Sequence, residues 1–496
     1  MSITQLVESP RSNLLGGSKQ LLIGGKWVPA VSGKEFETIN PATGQVIARL
    51  AQGEAADVDR AVAAARKAFE GGWSRWSPYE RQRLMIRVHD LIEENFEELA
   101  YLETVDMGKP IARTRGLKSW VSQLILFYAS HTGAASIQTP GNSLQGNYTT
   151  FKLLAPVGVV GGIIPWNGPL VSQWWTLGPT LATGCTAILK PAEDASLSVL
   201  RMAELLMEAG VPDGVVNVVT GYGSTAGAAL AEHPDVDRIS FTGSTETGRK
   251  IVQASTGNMK RLQLELGGKS PNIVFADANL DLAVPASAES IYGNSGQTCY
   301  AGTRVLVQRS IQEEFVARLE ESSRNFRIGD GLDLETDIGP VINQSQLDRV
   351  LSYVNIGTEE GAGLISGGNR VSGELGNGYF IEPTIFSGVA NTMRIAREEI
   401  FGPVGVVIPF DTAEEALGIA NDTNFGLAGG VWTENLSTAH KMAQGIKAGT
   451  IWVNSYGATD PAIGFGGYKM SGYGWKGGAE HVESFLYEKA VYMKLG

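Results

Sequence analysis

Pro156-Val157-Gly158-Val159-Val160-Gly161-Gly162-Ile163-Ile164 is a short, continuous apolar run punctuated by glycine. A strand buried on both faces reads this way, because neither side needs polar residues. The pattern repeats at Ala187-Ile188-Leu189-Lys190, Val215-Val216-Asn217-Val218-Val219 and Arg238-Ile239-Ser240-Phe241. Between these runs lie helical patterns, such as Ser196 to Ala209, with Ser196 as the expected cap and Gly210 and Pro212 closing it. Parallel strands with crossover helices give this alternation, so an α/β nucleotide-binding unit is expected, with ligands at the carboxyl ends of the strands.

Downstream, the same rhythm restarts at Arg304 to Val307, continues through a helix from Ile311 to Phe326, and returns in strands near Val404 to Pro409 and Thr450 to Asn454. A second α/β unit follows. Upstream, Leu21 to Val28 reads as a strand pair turning at Gly24-Gly25, and Asp57 reads as the cap of a helix ending at Gly71-Gly72. A long helical pattern from Glu80 to Val105 stops at Gly108-Lys109-Pro110. A further helix carries Trp120, Leu124, Phe127 and Tyr128, and the turn-rich stretch Thr139 to Gly146 reads as a protruding hairpin or a plain surface loop. The opening residues read as a loose arm.

The chain has 496 residues, 43% hydrophobic and 19% charged, with a formal charge of −12. That balance excludes a nucleic-acid binder in the absence of a clustered basic run. Two cysteines, Cys185 and Cys299, make no disulfide framework and no zinc spacing, which leads us to expect a reducing, cytoplasmic setting and no metal. The longest apolar stretch, Leu153 to Trp166, is too short and too rich in Gly and Pro to span a bilayer. Partners are therefore expected to be small molecules or further copies of the chain.

Chemistry concentrates between Glu265-Leu266-Gly267-Gly268 and Gly296-Gln297-Thr298-Cys299-Tyr300. A thiol and a carboxylate, each beside glycine, suggest a nucleophile and a base at a backbone that a substrate can approach. Cys185, on the approach to a buried strand, is expected to pack. The glycine motif Phe241-Thr242-Gly243-Ser244-Thr245-Glu246-Thr247-Gly248 departs from the usual dinucleotide fingerprint, with Thr245 in place of the middle glycine. Lys190-Pro191-Ala192-Glu193 ends a strand, where a carboxylate could accept from ribose hydroxyls; a surface ion pair is the alternative.

Together with Pro165-Trp166-Asn167-Gly168-Pro169 and Glu398-Glu399-Ile400-Phe401-Gly402-Pro403, these motifs closely resemble the aldehyde dehydrogenase superfamily, in order and from Asn40-Pro41-Ala42-Thr43-Gly44 to Phe465-Gly466-Gly467-Tyr468-Lys469-Met470-Ser471-Gly472. The resemblance implies a modified Rossmann-type cofactor domain (1–136 and 155–265), a related catalytic domain (266–480), and a small bridging sheet from 137–154 and 481–496. That sheet would join dimers or tetramers. It implies oxidation of an aldehyde by NAD(P), with Cys299 as nucleophile, Asn167 and the Cys299 N–H holding the oxyanion, and Glu265 as base for thioester hydrolysis. A silent structural homologue, or an enzyme passing the acyl group to coenzyme A, are the other branches.

By the same resemblance Lys190 and Glu193 hold the adenosine ribose, Gly243 and Ser244 the pyrophosphate, and Glu399 the nicotinamide ribose beside Phe401. Ile163, Pro165, Trp166, Gly223, Phe241, Thr242 and Leu266 line the cofactor. The carboxylate at Glu193 implies NAD over NADP, with NADP possible. Gly168 and Thr459 stand where many members carry aromatic rings, so a widened pocket is expected, lined by Trp120, Trp174, Trp175, Tyr300, Thr459 and Phe465. Gly474-Trp475-Lys476-Gly477 stands where the family often has an arginine and a glutamate, which counts against an auxiliary base there.

Overall fold

The glycine-punctuated run 156–164 contains the strand Val159–Ile164, central in an eight-stranded sheet. A computed structural model describes residue 7 and residues 12–496; the expected loose arm falls mainly outside the described residues. Five strands of the sheet are parallel: Val159–Ile164, Thr186–Pro191, Val216–Val218, Arg238–Thr242 and Arg261–Glu265. Taken in chain order as first to fifth, they lie 3-2-1-4-5 across the sheet. Val159–Ile164 and Arg238–Thr242 are neighbours whose connections leave in opposite directions, so a crevice opens beyond their carboxyl ends. Leu21–Ile23 and Lys26–Val28 extend one edge of the sheet, and Gly472–Tyr473 closes the other, antiparallel to Arg261–Glu265.

A second sheet of seven strands runs Gly363–Ser366, Thr384–Ser387, Val404–Phe410, Arg304–Gln308, Pro271–Val274, Ala428–Trp432, Thr450–Val453, and only its first pair is antiparallel. The expected second α/β unit is present. The Asn272 side chain is buried in it, donating to Ser287 Oγ and accepting from Trp432 Nε1, so its polar atoms are satisfied within the core.

Several local expectations are corrected. The first long helix is Ala55–Glu70 with Glu54 at its cap; Asp57 lies inside, buried, where its carboxylate accepts from the N–H groups of Glu54 and Val31. The pattern read as one helix from Glu80 to Val105 is two, Pro78–Glu94 and Phe96–Met107. They part at Asn95, whose side-chain amide donates to Leu91 O and competes with the helical ladder. Ser196 occupies the cap position of Leu197–Glu208, yet its hydroxyl bonds back to Ala192 O. The cap acceptor is Asp106 on a different helix, which takes the Leu197 N–H at 2.8 Å.

The hairpin and the chain's end form a third layer. Ile137–Gln138 pairs with Tyr148–Pro156, and Leu486–Lys494 pairs along the other side of Tyr148–Pro156 through nine residues. The terminal strand therefore completes a separate three-stranded sheet with the hairpin of its own chain. No helix among the described residues is long and apolar enough to cross a membrane.

Candidate active site

Cys299 lies on a loop that follows the helix Leu280–Tyr292 and turns through Asn294, Ser295 and Gly296, all at positive φ. Only glycine adopts that conformation without strain, so the two non-glycine residues need fixing from outside. Asn294 Nδ2 donates to the carbonyls of Asn167 and Gln297 at 3.1 Å, Ser295 Oγ donates to Gly339 O at 2.8 Å, and Gln297 Oε1 accepts from Ile342 N at 2.9 Å. At Gly296 an added Cβ would stand 2.1 Å from Gly402 O. The loop is clamped.

Asn167 joins the same network, its side-chain nitrogen donating to Gln297 O at 2.9 Å. An amide nitrogen carries two hydrogens, which leaves one for another acceptor. The Cys299 N–H meets no acceptor among the described residues. The Asn167 amide thus keeps one hydrogen, and the Cys299 N–H stays unpaired among the described residues, on one tied loop.

Glu265 ends its strand, buried, opposite Thr242 on one side and Gly472 on the other. Its Oε2 lies 3.5 Å from Lys476 Nζ, and its Oε1 has no hydrogen-bond partner among the described residues. Burial and the Glu265 carboxylate push the Cys299 thiol well above the ordinary thiol range, against the opposing pull of Lys476. The two glycines after Glu265 are explained by contact: a Cβ on Gly267 would stand 2.2 Å from Glu399 Oε2, and one on Gly268 would stand 2.3 Å from Cys299 O. Side chains there would push Glu399 and Cys299 apart from the strand end.

Glu399 accepts from the Gly268 N–H at 3.0 Å. Burial pushes its carboxyl up to about 7, although that bond, Lys269 and Arg349 pull the other way. Phe401 holds φ +60 and meets the Trp166 ring edge-on at 5.2 Å. Leu266 packs where Gly248 has no side chain, and its N–H donates to Ser471 O.

At the far end of the crevice Lys190 is 3% exposed and pairs at 2.9 Å with Glu193, which is 33% exposed. The expected ion pair is formed, with its ammonium buried and its carboxylate partly open. Burial favours the neutral Glu193 carboxyl, but Lys190 and hydrogen bonds outweigh it and hold the group below the usual carboxylate range. Gly223 donates weakly to Glu193 and faces open space. Gly243 lies over the Phe241 ring, 2.6 Å from where its Cβ would be, and Ser244 caps the helix Thr245–Ala254. Ile163 and Pro165 continue the central strand's carboxyl end. A partly open carboxylate, a glycine floor and a capped helix start fit a dinucleotide.

One pocket expectation is corrected: Trp174 is fully buried in the helical core. Trp175 is partly exposed, 6.3 Å from Trp120, and Tyr300 meets Phe465 at 5.9 Å. Both pairs flank the segment 465–477, since Phe465 and Lys476 exchange backbone hydrogen bonds and Gly477 lies against Trp175. Thr459 follows Ala458, whose carbonyl accepts from Trp452 Nε1. Cys185 is buried and packs as expected.

Sequence reading missed three supports. Glu103, buried within a helix, accepts from Lys109 Nζ and from Leu170 N, and so steadies the turn after Asn167. Ser471 donates to Gly267 O and accepts from Gly426 N. Lys476 reaches both Glu265 and Thr242 Oγ1. A charged residue amid an apolar helical run was the available signal for Glu103; for Lys476 it was the departure from the family motif.

Residues 27–491 match the model of the aldehyde dehydrogenase family. Human mitochondrial aldehyde dehydrogenase is 44% identical over 496 residues, covering 99% of this chain and 95% of its own. The NAD+ complex of an aldehyde dehydrogenase from Bacillus cereus superposes at TM-score 0.94 with 45% identity, over 97% of both chains. An indole-3-acetaldehyde dehydrogenase of P. syringae in complex with NAD+ superposes at 0.93 with 44% identity, covering 96% of this chain and 97% of its own.

Proposed function

The chain belongs to the aldehyde dehydrogenase family, and from that premise we propose how its residues oxidise an aldehyde to the carboxylic acid. One observation carries the reading: a buried carboxylate with an unpartnered oxygen, Glu265, acts on the Cys299 thiol within a loop clamped to Asn167. Cys299 Sγ attacks the carbonyl carbon while its proton passes to Glu265. The new oxyanion takes the Cys299 N–H and the second Asn167 amide hydrogen. NAD held in the crevice would supply the acceptor for the hydride that leaves the former aldehyde carbon. Glu265 releases the thiol proton to solvent and then takes a proton from water, whose oxygen attacks the thioester carbon; the C–S bond breaks, the acid leaves, and Glu265 returns that proton to Cys299 Sγ. Hydrolysis is favoured over transfer to coenzyme A because a base stands ready for water.

Lys190 and Glu193 would hold the adenosine ribose, Gly243 and Ser244 the pyrophosphate, and Glu399 the nicotinamide ribose. A carboxylate held in its charged form at Glu193 repels a 2′-phosphate, which supports NAD over NADP. Trp120, Trp175, Tyr300 and Phe465 would wall the aldehyde pocket, and glycine at 168 in place of a ring supports a preference for bulky apolar aldehydes. The three-stranded sheet, whose terminal strand leaves one edge unpaired among the described residues and exposes Tyr487, Tyr492 and Met493, supports assembly into dimers or tetramers. Free thiols at both cysteines agree with a cytoplasmic setting. Steady-state assays over small aliphatic and bulky aromatic aldehydes, with each cofactor, test the reading. Higher kcat/KM for aromatic aldehydes with NAD is expected; equal efficiency with NADP overturns the cofactor preference, and preference for small aldehydes overturns the pocket assignment.

A further inference from the structure

Three acidic groups meet at the strand end, Cys299, Glu265 and Glu399, and one buried cation faces Glu265 directly. Lys476 is 3% exposed and Glu265 5%. The lysine arrives from the edge strand: Gly472 pairs with Glu265, and four residues later the Lys476 backbone is locked by N–H to carbonyl bonds of 2.7 Å exchanged with Phe465. Its ammonium crosses the ends of adjacent strands and bonds Thr242 Oγ1, the residue in register with Glu265. With Oε2 turned to Lys476, only Oε1 remains for water.

We propose that Lys476 is a positioning residue for the deacylation step, holding Glu265 by one oxygen so that the other faces the thioester, and balancing the charge of the buried carboxylate. The proposal rests on the thioester reading above. In the step, a water O–H bond breaks, its proton goes to Glu265 Oε1 and its oxygen bonds the acyl carbon; the C–S bond electrons return to Cys299 Sγ. Without the ammonium, a buried carboxylate gains by taking a proton early, and a protonated acid accepts none from water.

The other groups around the pair do not replace this charge. Tyr300 is neutral, pushed up to about 12 by burial and by Cys299 and Glu265. Glu399 is acidic, and its own cation Lys269 is lowered to about 7 by burial and by Arg304. His481, against Tyr128 and Gly477, is held neutral by burial and by Arg238 and Lys476. Burial also lowers Lys476 itself, against the pull of Glu265 and Cys299.

The test uses the full chain with NAD and a turned-over aldehyde, comparing wild type with Lys476→Met, Lys476→Gln and Lys476→Arg. Rapid mixing reads the burst of reduced cofactor, steady state reads thioester hydrolysis, each from pH 5.5 to 9.5 as conditions set by the experimenter. Lys476→Met is expected to keep the burst at the alkaline end of the range while the acid limb of its steady-state rate moves up by about one pH unit or more. Lys476→Arg should restore the wild-type limb. Should Lys476→Met fail to give the wild-type circular dichroism and melting curve, Lys476→Gln, neutral but still a hydrogen-bond donor, carries the same comparison. A neutral variant whose limb superposes on wild type, or whose burst and steady-state rates fall in equal proportion at every pH, overturns the proposal. Absence of any burst in wild type would instead sink the thioester reading.

Discussion

Cys299 faces opposed demands. The nucleophile is the thiolate, yet burial and Glu265 both favour the thiol, so loss of the proton has to accompany attack. In the proposed mechanism Glu265 takes it. Replacing Glu265 by Gln keeps the shape and removes the acceptor, so turnover should fall by roughly 10²–10⁴, read as steady-state reduction of NAD. Unchanged turnover would remove Glu265 from the chemistry. Asn167→Ala tests the oxyanion donor, but Asn167 also ties the Cys299 loop through Gln297 O. A loss of roughly 10²–10³ in kcat is expected for the donor, while the melting temperature reports the tie separately. Gly268→Ala should be severe, since its Cβ would stand 2.3 Å from the Cys299 carbonyl; an active, normally melting variant would show that this contact relaxes cheaply.

Among elements, Asp106 joins three: it lies on Phe96–Met107, accepts from Thr38 Oγ1 on Glu35–Asn40, and caps Leu197–Glu208. Burial raises its carboxyl to about 7 despite those bonds. An acid raised on folding binds a proton that the unfolded chain has released, so its contribution is complete below about pH 4 and is lost as pH rises through 7. The span is on the order of 4 kcal/mol. Asn fits the site with its oxygen on Leu197 N and its NH₂ on Thr38. The melting temperature of wild type minus that of Asp106→Asn should therefore shrink between pH 5 and 8, conditions chosen to bracket the titration; a constant difference would show that Asp106 does not titrate there. Sequence could not have disclosed this cap, because its donor and acceptor are 91 residues apart. The helix itself was legible from its periodicity, as were the parallel strands from their unbroken apolar runs. Asn95 was harder to read: one polar residue between two good helical patterns splits them only because its side chain reaches Leu91 O.

For the whole molecule, order of motifs carried most of the reading. Glu265, Cys299 and Asn167 were legible as residues, while their meeting depends on a loop at positive φ that no local pattern announces. Trp174 shows the converse, an aromatic beside the site that packs inward instead. The terminal strand bears on assembly. Phe485 and Leu486 are buried, and Arg238 lies over the Phe485 ring at 4.2 Å, so a deletion that includes them would damage the subunit. Removing only Tyr487 to Gly496 should leave NAD binding intact and reduce the assembly in light scattering; unchanged mass would place the interface elsewhere. Oxidation through an acyl group on Cys299 is tested by mixing the wild-type enzyme with aldehyde and NAD, quenching within the first turnover, and mapping the adduct by mass spectrometry. The account predicts the mass of the acyl group on the Cys299 peptide, absent without NAD and absent in Cys299→Ala. Reduced cofactor formed with no adduct on Cys299 would contradict it.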